Sequence, residues 1–221
     1  MMRDRNCVSD MATSTVPRTG WRPARCCNRS TVQSLPARRS YVPAVSGHRP
    51  DLDNGAVTAF EQVRHRPPTP LSGPRELVVA CAPMRSNVNL STIMRTAGCC
   101  GVERMIVCGN ARIDRTVARD GADSVRLEVR NSLPPVLKTL RADGYRLVGL
   151  EQTTNSSNLH TYAFPRRAVL VIGNERAGLT EAELELVDDC VEIPVWGLPY
   201  SYNVATATAM ALYEYCRQHP S

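Results

Sequence analysis

At 221 residues and 43% hydrophobic content, the chain can build one domain with a real core. Its net charge of +6 lies in residues 1–70, which hold 11 arginines, no lysine and 5 acidic residues; the rest carries 16 groups of each sign. No run nears the ~18 apolar residues of a membrane span, nor does any apolar leader open the chain, and the nine cysteines and four histidines show no CxxC or metal-ligand spacing.

Residues 1–70 show no sustained period of 2 or 3.6, and prolines from Pro17 to Pro70 punctuate them. They are expected to form a basic extension without fixed structure, with room for one short helix near Ala56–His65. An arginine-only arm suits a polyanion partner; its other reading is a solvated tail. The expected compartment is the cytoplasm, although residues 1–50, rich in Arg and Ser and poor in acid, also resemble an organellar transit peptide in composition.

From residue 71 onward strands and helices alternate. Glu76–Ala82 is a continuous apolar run stopped by Pro83, which predicts a buried strand. Asn89–Cys100 reads as a helix with Leu90, Ile93, Met94 and Ala97 on one face, and with Asn89 as its N-cap. Strands follow at Arg104–Gly109 and, more weakly, at Val125–Val129. A helix is expected over Pro134–Ala142 and a strand over Tyr145–Glu151. Ala168–Gly173 is the most apolar strand. Thr180 with Glu183 forms a capping-box pattern opening a helix to about Val187. Cys190–Pro194 is the last strand and Tyr202–Arg217 the last helix. This order predicts a mainly parallel sheet with helices on both faces. The cysteines between Leu77 and Gly109 fall in apolar runs and are expected to be core thiols in a reducing compartment.

Three polar stretches sit where such a sheet places its ligands, at the carboxyl ends of strands. The first runs from Asn89 to Arg95. Six residues on one helix turn through about 600°, so the two side chains point to different faces. An Arg among Ile93, Met94 and Ala97 calls for an anionic partner. The second is Gly173-Asn-Glu175-Arg-Ala-Gly178, directly after the most apolar strand. Its glycines let backbone approach a ligand, and Glu175 can fix a hydroxyl or pair with Arg95. The third, Ile193 to Val204, is a loop with exposed backbone, able to hold an adenine by main-chain hydrogen bonds, entering the last helix through Ser201-Tyr202-Asn203. The simpler reading of that entry is capping by Ser201 with help from Asn203. No GxGxxG follows the first strand, which argues against ordinary dinucleotide binding.

In this order and strand context the three stretches resemble the motifs of the SpoU-type (TrmH) RNA ribose methyltransferases of the SPOUT class, over about Glu76–Gln218. Asn89 and Arg95 match the first motif, Gly173, Glu175 and Gly178 the second, and Ile193-Pro194 with Ser201, Asn203 and Val204 the third. Tyr202 stands where the family usually has Leu. The resemblance implies residues 71–221 as a SPOUT domain with a C-terminal deep trefoil knot, S-adenosyl-L-methionine as cofactor, RNA as substrate, a homodimer and no metal. It places cofactor contacts on Gly173, Ile193 and Tyr202, and the catalytic set on Asn89, Arg95, Glu175, Ser201 and Asn203. Arg95 matches the residue proposed in the family as general base. Gly149–Thr153, with the later Gly-Asn-Glu-Arg, looks closest to the branch acting on the guanosine at tRNA position 18. Alternatives are an rRNA or tRNA wobble-position 2′-O-methyltransferase, a non-catalytic knotted RNA-binding dimer, and a plain α/β protein binding another adenine cofactor.

Overall fold

In the computed structural model the described residues are 62–63 and 66–220. Residues 1–61, most of the arm and of the short helix expected near Ala56–His65, lie outside them, and residues 62–63 at the end of that expected helix are not helical. The elements run β1 (Leu77–Cys81), α1 (Asn87–Cys99), β2 (Arg104–Cys108), α2 (Arg115–Ala118), α3 (Gly121–Ser124), β3 (Arg126–Arg130) and α4 (Leu133–Ala142). There follow β4 (Arg146–Leu150), β5 (Ser157–Asn158), β6 (Ala168–Ile172), α5 (Glu181–Leu184), β7 (Asp189–Glu192) and α6 (Val204–Gln218).

Every strand pairing is parallel, in the order β3-β2-β1-β6-β4-β7-β5. The first three strands step outward in one direction. The chain then returns to the other side of β1, leaving a gap that β6 fills between β1 and β4. That reversal is where an open α/β sheet forms its ligand crevice.

The strands read as unbroken apolar runs because both faces are covered. Leu77, Val79 and Cys81 face one core with Leu90, Ile93, Met94 and Ala97 of α1, and with Ala211, Leu212 and Tyr215 of α6. Val78 and Ala80 face the other, with Leu133, Leu137 and Leu140 of α4. One position along a strand changes the face, so the pleat alone sorts the side chains between two helical layers.

Several expectations need correction. Ser86, not Asn89, is the N-cap of α1; its side chain accepts from the Asn89 amide at 3.2 Å. The cap lies three residues earlier because Asn87 and Val88, both exposed, add a turn without apolar signal. The short α2, α3 and β5 were not foreseen; with four, four and two residues they carry too little periodicity to read. Cys81 and Cys108 are core thiols, but at the end of α1 Cys99 is exposed and Cys100, packed against the rim of the core, is half-buried.

Candidate active site

The three polar stretches converge at the carboxyl end of the sheet. Glu175 follows β6 and turns back over the start of α1. One carboxylate oxygen accepts from the Ser86 amide at 2.9 Å and from Asn89 Nδ2 at 3.4 Å. The other accepts from the Arg85 amide at 3.1 Å and from Asn174 Nδ2 at 3.4 Å. Burial pushes this carboxyl up, but the Ser86 and Arg85 amides outweigh it and hold Glu175 below the usual carboxylate range. The group is therefore a fixed anion at neutral pH.

Asn203 joins from the third stretch. It is the N-cap of α6: its Oδ1 accepts from the Ala205 amide at 2.9 Å and the Thr206 amide at 3.4 Å. Its Nδ2 donates to Asn89 Oδ1 at 3.2 Å. Asn203, Asn89 and Glu175 thus form a hydrogen-bonded chain across residues up to 114 positions apart. Each amide uses both ends, one toward each neighbour, which fixes its orientation. Capping falls to Asn203 rather than Ser201.

Beside this chain lies a cavity of about 230 Å³, lined by Gly173, Glu151, Ile193, Glu175, Ser201 and Tyr202 among others. Leu150, Ile172, Val191 and Val204 supply apolar walls. Gly173 is required there: a Cβ would meet Gly178 C at 2.4 Å and Leu179 N at 2.6 Å, both backbone atoms that cannot turn aside. Gly178, at φ +66°, closes the loop onto Asn174, and Glu151 lies under it.

Of the eight residues singled out from sequence, Gly173, Glu175, Ile193, Ser201 and Tyr202 line the cavity, and Asn89 and Asn203 bond to Glu175 directly or in relay. Arg95 stands apart. It is exposed on α1, and no ion pair joins it to an acidic group among the described residues. The pairing of Glu175 with Arg95 is therefore not formed within one chain, because Asn89 and the loop amides already occupy the carboxylate. The 600° between Asn89 and Arg95 points the two away from each other.

Two further residues belong to this place. Glu151 accepts from the Leu179 amide at 3.0 Å and lines the cavity. Asn174 accepts from the Arg176 and Ala177 amides and donates to Pro83 O at 2.7 Å, holding the Glu175 loop against the end of β1. The available signal was position alone: each is the first or second polar residue after a buried strand.

The donor set discriminates among ligands. Three carboxylates, Glu151, Glu175 and Glu192, line the cavity against one guanidinium, Arg176. Such a lining repels phosphates and suits a cationic ligand with an apolar or aromatic part.

The model of the SpoU rRNA Methylase family matches residues 76–213. The mouse tRNA (guanosine(18)-2'-O)-methyltransferase TARBP1 is 34% identical over 148 residues, 64% of this chain and 9% of that protein, so the chain spans a small part of this relative. Among solved structures, the A. aeolicus TrmH/SpoU tRNA modifying enzyme superposes with a TM-score of 0.63 at 27% identity, over 66% of this chain and 76% of that one. AviRb from Streptomyces viridochromogenes, a SpoU methyltransferase solved in complex with the cofactor AdoMet, gives 0.58 at 28% identity, over 67% and 63%.

Proposed function

From the premise that this chain belongs to the SpoU rRNA Methylase family, we propose that it methylates RNA at a ribose 2′-OH using S-adenosyl-L-methionine, with a tRNA guanosine of the position-18 type as first target. The observation that carries the proposal is the Asn203–Asn89–Glu175 relay at the mouth of an acidic, apolar-walled cavity. A phosphate-rich nucleotide fits that cavity poorly; a cationic adenosyl sulfonium suits it. The guanosine-18 target rests on the name of the mouse relative.

In this reading main chain at Gly173, Ile193 and Tyr202 holds the cofactor, and Glu151 adds an anion beside it. The cofactor, when bound, supplies an electrophilic methyl on a positively charged sulfur. The remaining work falls to the chain. A 2′-OH is a weak nucleophile and must lose its proton as it attacks. Glu175 and Asn89 orient the ribose, and Ser201 and Asn203 close the site beside it. A guanidinium offers five donors and no acceptor, so Arg95 serves here as a cation and not as the base. Its role is to clamp the phosphate next to the hydroxyl and hold it as the proton acceptor.

We assign residues 71–221 to one catalytic domain, its C-terminal part tied in a deep trefoil knot. The insertion of β6 between β1 and β4, with β7 beyond β4, favours such a threading. The working unit is a homodimer acting in the cytoplasm. Among the described residues Arg95 on α1 is in no ion pair, and Val88 on α1 and Tyr213 on α6 are exposed, so a second copy would cover apolar surface and bring guanidinium to a site.

The test is methyl transfer from labelled S-adenosyl-L-methionine to total tRNA and, separately, to rRNA, with nucleoside mapping. Label in a tRNA 2′-O-methylguanosine, lost in Arg95→Ala, is the expected result. Label in rRNA keeps the chemistry and moves the target. Arg95→Lys with near-full activity would remove any role that needs the planar guanidinium.

A further inference from the structure

We propose that the loop between Ile193 and Asn203 is a stacking platform for unpaired RNA bases flanking the nucleotide that is methylated. This inference rests on the RNA methyl-transfer reading and adds to it the residues that take hold of the substrate.

The loop holds the most exposed large hydrophobic side chains of the described residues. Trp196 is 81% exposed, Leu198 76% and Tyr200 80%. Large apolar groups displayed together in this way mark a binding surface. The Trp196 ring lies 24° from parallel to His160, with centroids 6.5 Å apart. Most of the indole surface is open to a ligand.

The loop also has a fixed relation to the chemistry. It leaves the cavity at Ile193, displays the aromatics, and returns through Ser201 to Asn203, which holds Asn89. A chain of nucleotides with one ribose at Glu175 therefore passes its neighbours over Trp196 and Tyr200.

Two arginines belong to the loops that build this site. Arg176 lines the cavity, and the Arg85 amide binds Glu175. Both residues are exposed, and among the described residues neither guanidinium is in an ion pair. Flat rings beside unpaired guanidiniums match a ligand that is both planar and anionic. Single-stranded RNA has this chemistry: bases stack on aromatic rings while arginines meet phosphates.

The test uses the full chain, a labelled tRNA transcript and the variants Trp196→Ala, Tyr200→Ala and their double. Methyl transfer gives KM and kcat, calorimetry the affinity for S-adenosyl-L-methionine, and sedimentation the assembly state. We expect the double variant to raise KM for tRNA roughly tenfold to a hundredfold, with kcat within about twofold and cofactor affinity and sedimentation unchanged. Trp196→Phe should restore most of the loss attributed to Trp196. An active wild type whose KM is untouched by the double variant overturns the platform and leaves the methyltransferase reading standing. Altered sedimentation in the variants overturns it in favour of a contact between copies. A wild type that neither binds nor methylates any RNA overturns both.

Discussion

At the outer edge of the sheet three arginines close on one carboxylate. Arg104 Nε lies 2.8 Å from Glu128, Arg130 2.7 Å and Arg126 3.4 Å. At the carboxyl ends of β1 and β6 the arrangement is inverted. There Glu175 is saturated by amides, while Arg85 and Arg176 have no carboxylate among the described residues. Charges mated within the chain at the edge serve the fold. Those left unmated at the carboxyl end are held for something outside it. The same residue type does two jobs, and partner identity separates them better than exposure does.

The largest effect that would break this division is at Glu175. Glu175→Gln keeps the shape but puts an amide donor where four donors now converge, so one of them must turn away. Methyl transfer measured in a single turnover should fall about a hundredfold, as expected for a misplaced reacting group. Cofactor affinity should weaken only severalfold, through the lost charge in the cavity lining, so the loss in turnover exceeds it. Unchanged turnover would mean that the relay through Asn89 and Asn203 is only structural.

Gly173→Ala comes next. The added methyl meets backbone of Gly178 and Leu179, and neither can rotate out of the way. Overpacking of this kind costs about 1–3 kcal/mol. The melting temperature should drop by roughly 3–10 °C, and the cofactor Kd should rise at least about tenfold as the cavity floor shifts. A variant that melts and binds as wild type would show that the loop can move away from the strand.

Much of this was readable before any coordinates. The unbroken apolar runs at Leu77–Cys81 and Ala168–Ile172 announced parallel strands because both faces are buried, and the polar residues immediately after them marked the ligand end. What could not be read was sideways placement. That β6 lies between β1 and β4, so that Glu175 meets Ser86 rather than Arg95, depends on strand order, which local periodicity does not encode. Glu151 was passed over for the same reason. Nothing in its neighbours along the chain reveals that the Leu179 amide, 28 residues away, would seek its carboxylate.

Glu151 gives a smaller, sharper test. Glu151→Gln preserves an acceptor for Leu179 and removes only the charge from the cavity lining. Stability should stay within about 0.5 kcal/mol, while the Kd for S-adenosyl-L-methionine should weaken severalfold, the size expected when a charged partner becomes neutral. S-adenosylhomocysteine, the thioether left after methyl transfer, lacks the positive charge on sulfur, so its Kd should respond less to Glu151→Gln, and comparing the two ligands would isolate the anion's influence. Equal Kd values for wild type and variant with both ligands would remove Glu151 from the electrostatics of the site.

The smallest effect belongs to the mated arginines, and its sign with pH distinguishes the two regions. The hydrogen bond from Arg104 is the first reason that the Glu128 carboxyl sits below the ordinary range, with burial opposing it and Arg130 and Arg126 adding to it. A carboxyl lowered on folding contributes stability that is complete above its unfolded pKa of about 4.5 and is lost as pH falls through the folded value. Glu128→Gln should therefore destabilise by less than about 1 kcal/mol at pH 7, since Arg126 and Arg130 are exposed and solvent screens them. The gap between variant and wild-type denaturant midpoints should close as pH drops below about 4.5. Methyl transfer at neutral pH should be unchanged. If Glu128→Gln instead impaired transfer without moving the midpoint, the outer-edge arginines would be reaching RNA, and partner identity would no longer separate the charges that fold the chain from those that serve its substrate.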